Sequence, residues 1–265
     1  RHKVSRVVVV ERNQVEGVVE LTDVLSYFSS RSYVVSLQVE QATSLEALAA
    51  ASRRTPELVR ALMAQGVKLR FAMGLLAALN GRIMNKAWGF LVDERYHANS
   101  CLIVMGSEGR GEQILKTDQD NGLILADDLE WTDCHEQMQR LTETLIELGY
   151  PPCPGDIMVS NPDWVGTESQ WHGRIAQWAA SRDGESLMHL AIMLDSHAVA
   201  GNPALLERLR DERFERCSRD EILLSYFARS ALRFSTPLTL LGSLKKPQHG
   251  IDIKKGGIFP IVHGV

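Results

Sequence analysis

Two carboxylates stand one residue apart in Asp118-Gln119-Asp120. On a strand, residues i and i+2 point to the same face, so both acids would stand side by side. Like charges that close repel, and one is driven neutral unless a cation shares them. A hard divalent ion relieves the conflict with oxygen ligands, and such ions clamp the reacting oxygens in phosphoryl transfer. Upstream, Gly106-Ser107 closes the apolar run Cys101–Met105 and opens the next element. Glycine lets a ligand approach the backbone, and free N–H groups at a helix start attract phosphate. Ser107 adds a hydroxyl and Arg110 a guanidinium able to grip phosphate oxygens in pairs.

Each feature has a plainer reading. Asp-x-Asp occurs in many turns, the glycines near Arg110 fit a turn, and Arg110 with Glu112 fits a solvated pair on a helix face. Strand, Gly-Ser, short helix and Asp-x-Asp follow one another within about twenty residues, and that order favours a phosphate seat beside a metal-binding pair.

The elements that must position these groups can be read from the spacing. Val4–Val10 and Val15–Leu21 read as two strands joined by a polar turn, with Thr22-Asp23 as an N-cap beyond them. From Ser44 to about Tyr96 apolar residues recur at helical intervals, with Pro56 as a start signal and Gly66 and Gly81 as breaks or close contacts. Cys101–Met105 reads as a buried strand, followed by a brief helix to about Leu115 and a second strand, Asp118–Leu125. Trp131–Leu148 reads as a helix ending at Gly149. The rigid Pro151-Pro152-Cys153-Pro154-Gly155 leads into a short strand, Asp156–Val159, and helices are expected over Thr167–Ala180, Glu185–Ala198, Pro203–Arg216 and Glu221–Phe234.

Composition narrows the function classes. At 265 residues, 45% hydrophobic and 23% charged, the chain is an ordinary globular protein with room for a large core. A net charge of −4 argues against a broad nucleic-acid surface, without excluding a local phosphate pocket. The cysteines at 101, 134, 153 and 217 form neither a Cys-x-x-Cys pair nor a Cys/His cluster, so reduced thiols in a cytoplasm are expected. The longest apolar run, around Phe71–Leu79, is far short of the roughly 20 residues a membrane span needs. Arg1 in place of an initiating Met makes the chain read as a fragment. His135, His172, His189 and His249 lack metal-ligand spacing, and Ser107 does not sit in a Gly-x-Ser-x-Gly elbow. Lys254-Lys255 reads as a solvated basic tail.

The stretch Gly106–Leu125, GSEGRGEQILKTDQDNGLIL, resembles the signature of the DNA polymerase beta-like nucleotidyltransferases, and among them the uridylyltransferases that modify PII signalling proteins. More narrowly, GSEGR and TDQDN look like the nucleotidyltransferases linked to CBS domains. Ile251–Val265 resembles that family's closing segment, and Val4–Leu25 is similar to the second half of a CBS repeat. The resemblance implies that Gly106 and Ser107 hold nucleotide phosphates and that Asp118 and Asp120 bind Mg²⁺ or Mn²⁺. It also implies a third carboxylate on a neighbouring strand, for which Asp156 is the candidate; the alternative for Asp156 is a turn residue at a strand start. Leu194–Gly201 matches a helix where relatives carry Asp-x-Arg, and here His197 stands in the arginine's place, reading as surface or packing. Thr22-Asp23 matches a CBS ribose contact, although half a module lacks the full pocket.

The expected fold is α+β, a small mixed-sheet nucleotidyltransferase core flanked by helical domains. Its parts are a half CBS repeat at 1–31, a helical domain at 32–97, the core at 98–182 and a helical substrate-binding domain at 183–265. The expected activity is metal-dependent transfer of a nucleoside monophosphate from a nucleoside triphosphate to an acceptor hydroxyl, with a regulatory protein as one acceptor class. The competing expectation is a signalling module that binds nucleotide without transferring it. Pairing through the CBS region makes a homodimer the expected assembly.

Overall fold

The computed structural model describes residues 6–11, 14–20, 32–210 and 220–232. The Thr22-Asp23 cap, Lys254-Lys255 and the Ile251–Val265 segment lie outside the described residues. The expected N-terminal strands form an antiparallel hairpin, β1 (Arg6–Glu11) and β2 (Gln14–Glu20), with Val8 opposite Val18 and Val10 opposite Val15.

Helices α1 (Ser32–Gln41), α2 (Leu45–Ser52), α3 (Thr55–Ala64) and the long α4 (Leu69–Leu91) follow. Ser44 caps α2 by accepting from the Ala47 amide, and Pro56 sits in the first turn of α3, where its missing N–H costs nothing. A short α5 (Glu94–His97) precedes β3 (Ser100–Val104), the single turn α6 (Gly106–Gly109) and β4 (Asn121–Leu125). Helix α7 (Cys134–Glu147) is closed by Gly149 at φ 93°, a left-handed turn that glycine adopts without strain. Then come β5 (Val165–Thr167), α8 (Glu168–Ser181), α9 (Gly184–Leu194), β6 (His197–Gly201), α10 (Ala204–Leu209) and α11 (Glu221–Leu232).

Strands β3 to β6 make one mixed sheet in the order β5-β4-β3-β6; β4 runs parallel to β5, and β3 is antiparallel to both its neighbours. Alternation along the two central strands divides the interior. Leu102, Val104 and Leu123 join the core built by α1–α4 and α7, whereas Cys101, Ile103, Met105 and Ile124 join the core built by α8–α11. The sheet is therefore covered on both faces, which is why its central strands run apolar after their first residues, Ser100 and Asn121, rather than alternating with polar residues.

Several expected elements differ. The helix after Gly106 stops at Gly109 instead of about Leu115, because Gly111 turns left-handed at φ 66°. Strand β4 begins at Asn121, so Asp118 and Asp120 lie on its lead-in. No strand forms over Asp156–Val159; Asp156 adopts φ 56°, a left-handed conformation that ends extended structure. Helix α9 ends at Leu194, and the segment matched to a helix around His197 is instead the edge strand β6. Gly201 closes that strand at φ 77°, where a Cβ would stand 2.2 Å from the Ser100 carbonyl oxygen.

Leu123 on β4 is fully buried between the sheet and the first core. Leu123→Ala should lower the free energy of unfolding by about 2–5 kcal/mol in urea titration. A loss below about 1 kcal/mol would show that β4 is not central to the packing.

Candidate active site

The site begins at the end of β3. The Met105 amide donates to the Asp120 carbonyl at 2.9 Å, extending the β3–β4 pairing one step past Val104 opposite Asn121. Gly106 then turns at φ 55°, and a Cβ built there would meet Asp120 Oδ2 at 2.8 Å. Only glycine satisfies both demands, a left-handed backbone and a carboxylate against it. By helix geometry, the amides that open α6 have no acceptor inside the helix, which leaves them for another partner. Ser107 Oγ accepts a hydrogen bond from Gln113 Nε2 at 3.1 Å, which orients the hydroxyl.

The lead-in to β4 is latched from its other side. Gln119 and Asn121 are buried, and they share the face of Leu123, opposite the two acids. Gln119 N donates to the Pro151 carbonyl at 2.9 Å and its Nε2 to the Tyr150 carbonyl at 3.3 Å. Asn121 Nδ2 donates to Gln119 Oε1 at 3.0 Å, the Val159 amide donates to Asn121 Oδ1 at 2.8 Å, and the Asn121 amide donates to the Ile157 carbonyl at 3.0 Å. These bonds fix the proline-rich loop alongside β4. As a result, one ligand atom each from Asp118, Asp120 and Cys153 lies within 4.8 Å of the others.

That group suits a cation. Ligand atoms on one ion sit about 2–2.5 Å from it, hence up to about 4–5 Å from each other. The Cys153 thiol donates a hydrogen bond to the Asp120 carboxylate, and burial together with that carboxylate pushes the thiol up to about 11. Asp156, expected to supply a third carboxylate, stands exposed on the Cys153–Asp156 turn, closed by its amide on the Cys153 carbonyl at 3.0 Å, and is not in the group.

Arg110 has other partners. Its Nε donates to Glu112 at 2.9 Å and its Nη1 to the Asp195 carboxylate after α9. With Glu108, Arg82, Asn85 and His197 it lines a cavity of about 490 Å³ between α4 and β6, whose lining includes neither Asp118 nor Asp120. Gly109 permits this junction, since a Cβ there would overlap the Asp195 carbonyl at 2.1 Å. His197, at the cavity rim, is exposed.

Behind the glycine turn lies a buried polar network. Asn80 Nδ2 donates to Glu108 at 3.4 Å, and the Tyr150 hydroxyl donates to Asn80 Oδ1 at 2.9 Å. Lys116 donates to the Leu148 carbonyl at 2.6 Å and to the Ser52 hydroxyl, with its ammonium 4.3 Å from the centre of the Tyr150 ring. Burial pushes Glu108 up to about 7, against the pull of Asn80 and Lys116, and brings Lys116 down to about 8 against the pull of Glu108. The spacing of the sequence signals neither this network nor the latch by Gln119 and Asn121. The one clue is that polar residues alternate with the two acids and would face the core if the acids face out.

The comparisons fit this geometry. Residues 53–185 match the family described as Putative nucleotidyltransferase DUF294, and residues 221–265 match its companion, Putative nucleotidyltransferase substrate binding domain. No curated protein matches the chain. Among the described residues no helix is long and apolar enough to cross a membrane.

Two outcomes test the site. Gly106→Ala should displace Asp120 and weaken Mn²⁺ binding by calorimetry about tenfold or more, and unchanged affinity would show that the contact does not shape the site. Glu108 keeps its proton in the folded chain up to about pH 7, whereas the unfolded chain releases it near 4.5. Stability from this group is therefore full below about pH 4.5 and lost as the pH rises through about 7, a fall of up to about 3 kcal/mol. Glu108→Gln should flatten that fall in unfolding curves taken across the window. With residues 53–185 matched, half of the chain, this protein belongs to the DUF294 nucleotidyltransferase family.

Proposed function

We propose that this protein transfers a nucleoside monophosphate from a nucleoside triphosphate to an acceptor hydroxyl, with Asp118 and Asp120 holding a divalent ion, Mg²⁺ or Mn²⁺. The observation that carries the reading is the Asp118–Asp120 pair beside the left-handed Gly106 turn, in a chain of a nucleotidyltransferase family. When bound, the ion supplies charge neutralisation on the phosphates. Gly106 and Ser107 receive the triphosphate at the open end of α6, where backbone amides and the Ser107 hydroxyl are the donors. The acceptor oxygen bonds to the α-phosphorus, the bond to pyrophosphate breaks, and the acceptor's proton leaves. As the exposed carboxylate on the turn carrying Cys153, Asp156 is proposed to take that proton. Arg110, expected to grip phosphate, is paired with Glu112 and Asp195, and we assign it to holding α6 against the end of α9.

The acceptor class to test first is a protein hydroxyl, tyrosine included, on the resemblance to the PII-modifying enzymes. The CBS-like reading of Val4–Leu25, with pairing of chains through it, belongs to the same proposal. A module that binds nucleotide without transfer is the second reading, favoured by the absence of Asp156 from the Asp118–Asp120–Cys153 group.

The test is labelling. With radiolabelled triphosphates, a divalent ion and cell extract, the wild-type protein should label an acceptor, and Asp118→Ala or Asp120→Ala should reduce labelling by about 10²-fold or more. Nucleotide binding by calorimetry with no labelling would replace transfer by the second reading.

A further inference from the structure

The candidate cation group of this chain contains a sulfur. Cys153 sits with Asp118 and Asp120, its ligand atom within 4.8 Å of theirs, where a set of hard ligands would carry only oxygens. Three observations make the placement a built one. The loop that bears Cys153 is stiffened by Pro151, Pro152 and Pro154. It is latched to β4 by the Gln119 amide on the Pro151 carbonyl and by Asn121 on Ile157 and Val159. The turn after the cysteine is closed by the Asp156 amide on the Cys153 carbonyl at 3.0 Å and by the Cys153 amide on Met158 Sδ at 3.4 Å. Cys101 and Cys134 have no comparable setting: Cys101 is buried on β3 in the second core, and Cys134 begins α7.

We infer that Cys153 is a third ligand to the ion held by Asp118 and Asp120, and that it biases this site toward thiophilic divalent ions of the Co²⁺, Zn²⁺ and Cd²⁺ class over Mg²⁺. The inference rests on the reading that the two aspartates hold a metal. Softness supplies the bias: carboxylate and water suit Mg²⁺, whereas a thiolate favours more polarisable ions. On binding, the metal–sulfur bond forms as the S–H proton passes to solvent; nothing is oxidised or reduced. A cysteine here also makes metal selectivity a property of the proline-rich loop, separate from the Asp-x-Asp pair.

Cobalt reports the bond directly. Co²⁺ added to the full chain should give a sulfur-to-metal charge-transfer band in the near ultraviolet. Cys153→Ser should lose that band, and its Cd²⁺ affinity should fall about 10- to 100-fold relative to its Mg²⁺ affinity. Cys153→Asp should reverse the preference toward Mg²⁺. In the wild-type chain, independent of any variant's folding, Cd²⁺ should protect Cys153 from iodoacetamide, read by peptide mass spectrometry. Cobalt binding without the band, a band that survives Cys153→Ser, or alkylation indifferent to Cd²⁺ would each overturn the inference. The two readings fail separately. A band with no acceptor labelling keeps the sulfur ligand and removes transfer, and labelling supported by Mg²⁺ with no band does the reverse.

Discussion

Everything in this site depends on Gly106 and the Asp120 carboxylate occupying adjacent space that a side chain at position 106 could enter only by displacing the carboxylate. A methyl group at position 106 would stand 2.8 Å from Asp120 Oδ2, inside the contact distance of any carbon and oxygen. The chain reaches that contact because the β3–β4 pairing continues to the Met105 amide and Asp120 carbonyl, bringing the ends of both strands together. The glycine turn, the carboxylate pair and the start of α6 are thus consequences of one strand register. A one-residue slip in that register would turn both acids toward the first core.

The segment between Gly106 and Asp118 is held at both ends by groups that are costly to bury. Glu108 lies two residues beyond the glycine and Lys116 two residues before Asp118. Both are drawn into the same interior, where Asn80, Tyr150, Ser52 and the Leu148 carbonyl receive them. Burial moves the two in opposite directions, the acid toward neutral and the amine toward neutral, while their mutual attraction resists each shift. Such a network adds little net stability, yet it tolerates few alternative arrangements, which suits a loop that must present two carboxylates in one place. Arg110, tied to Glu112 and Asp195, makes the matching anchor on the side of α9.

The candidate site was legible in the sequence because it is local. Gly106, Ser107, Asp118 and Asp120 lie in one short stretch, and strand alternation predicts that the acids share a face. The helices were legible for the same reason, through caps such as Ser44 and Pro56 and the stop at Gly149. What escaped the reading is long-range. The short strands β5 and β6 exist by pairing with β4 and β3, and three to five residues carry too little periodicity to announce themselves. Asp156 looked like a strand start, but a left-handed turn after Pro154-Gly155 sets it outside the group and brings Cys153 in. Gln119 and Asn121 gave no sign of their role, since a latch is visible only when the loop it holds is in view. Arg110 matched a phosphate gripper by type, yet its partner Asp195 is distant in sequence.

The most direct measurement is a crystal structure of the chain with Mn²⁺ and a non-hydrolysable nucleoside triphosphate, the ion located by its anomalous signal. The manganese peak should lie on carboxylate oxygens of Asp118 and Asp120, with the triphosphate over the Gly106-Ser107 turn. A manganese ion bound elsewhere, or a triphosphate seated away from that turn while both aspartates stay uncoordinated, would contradict this placement.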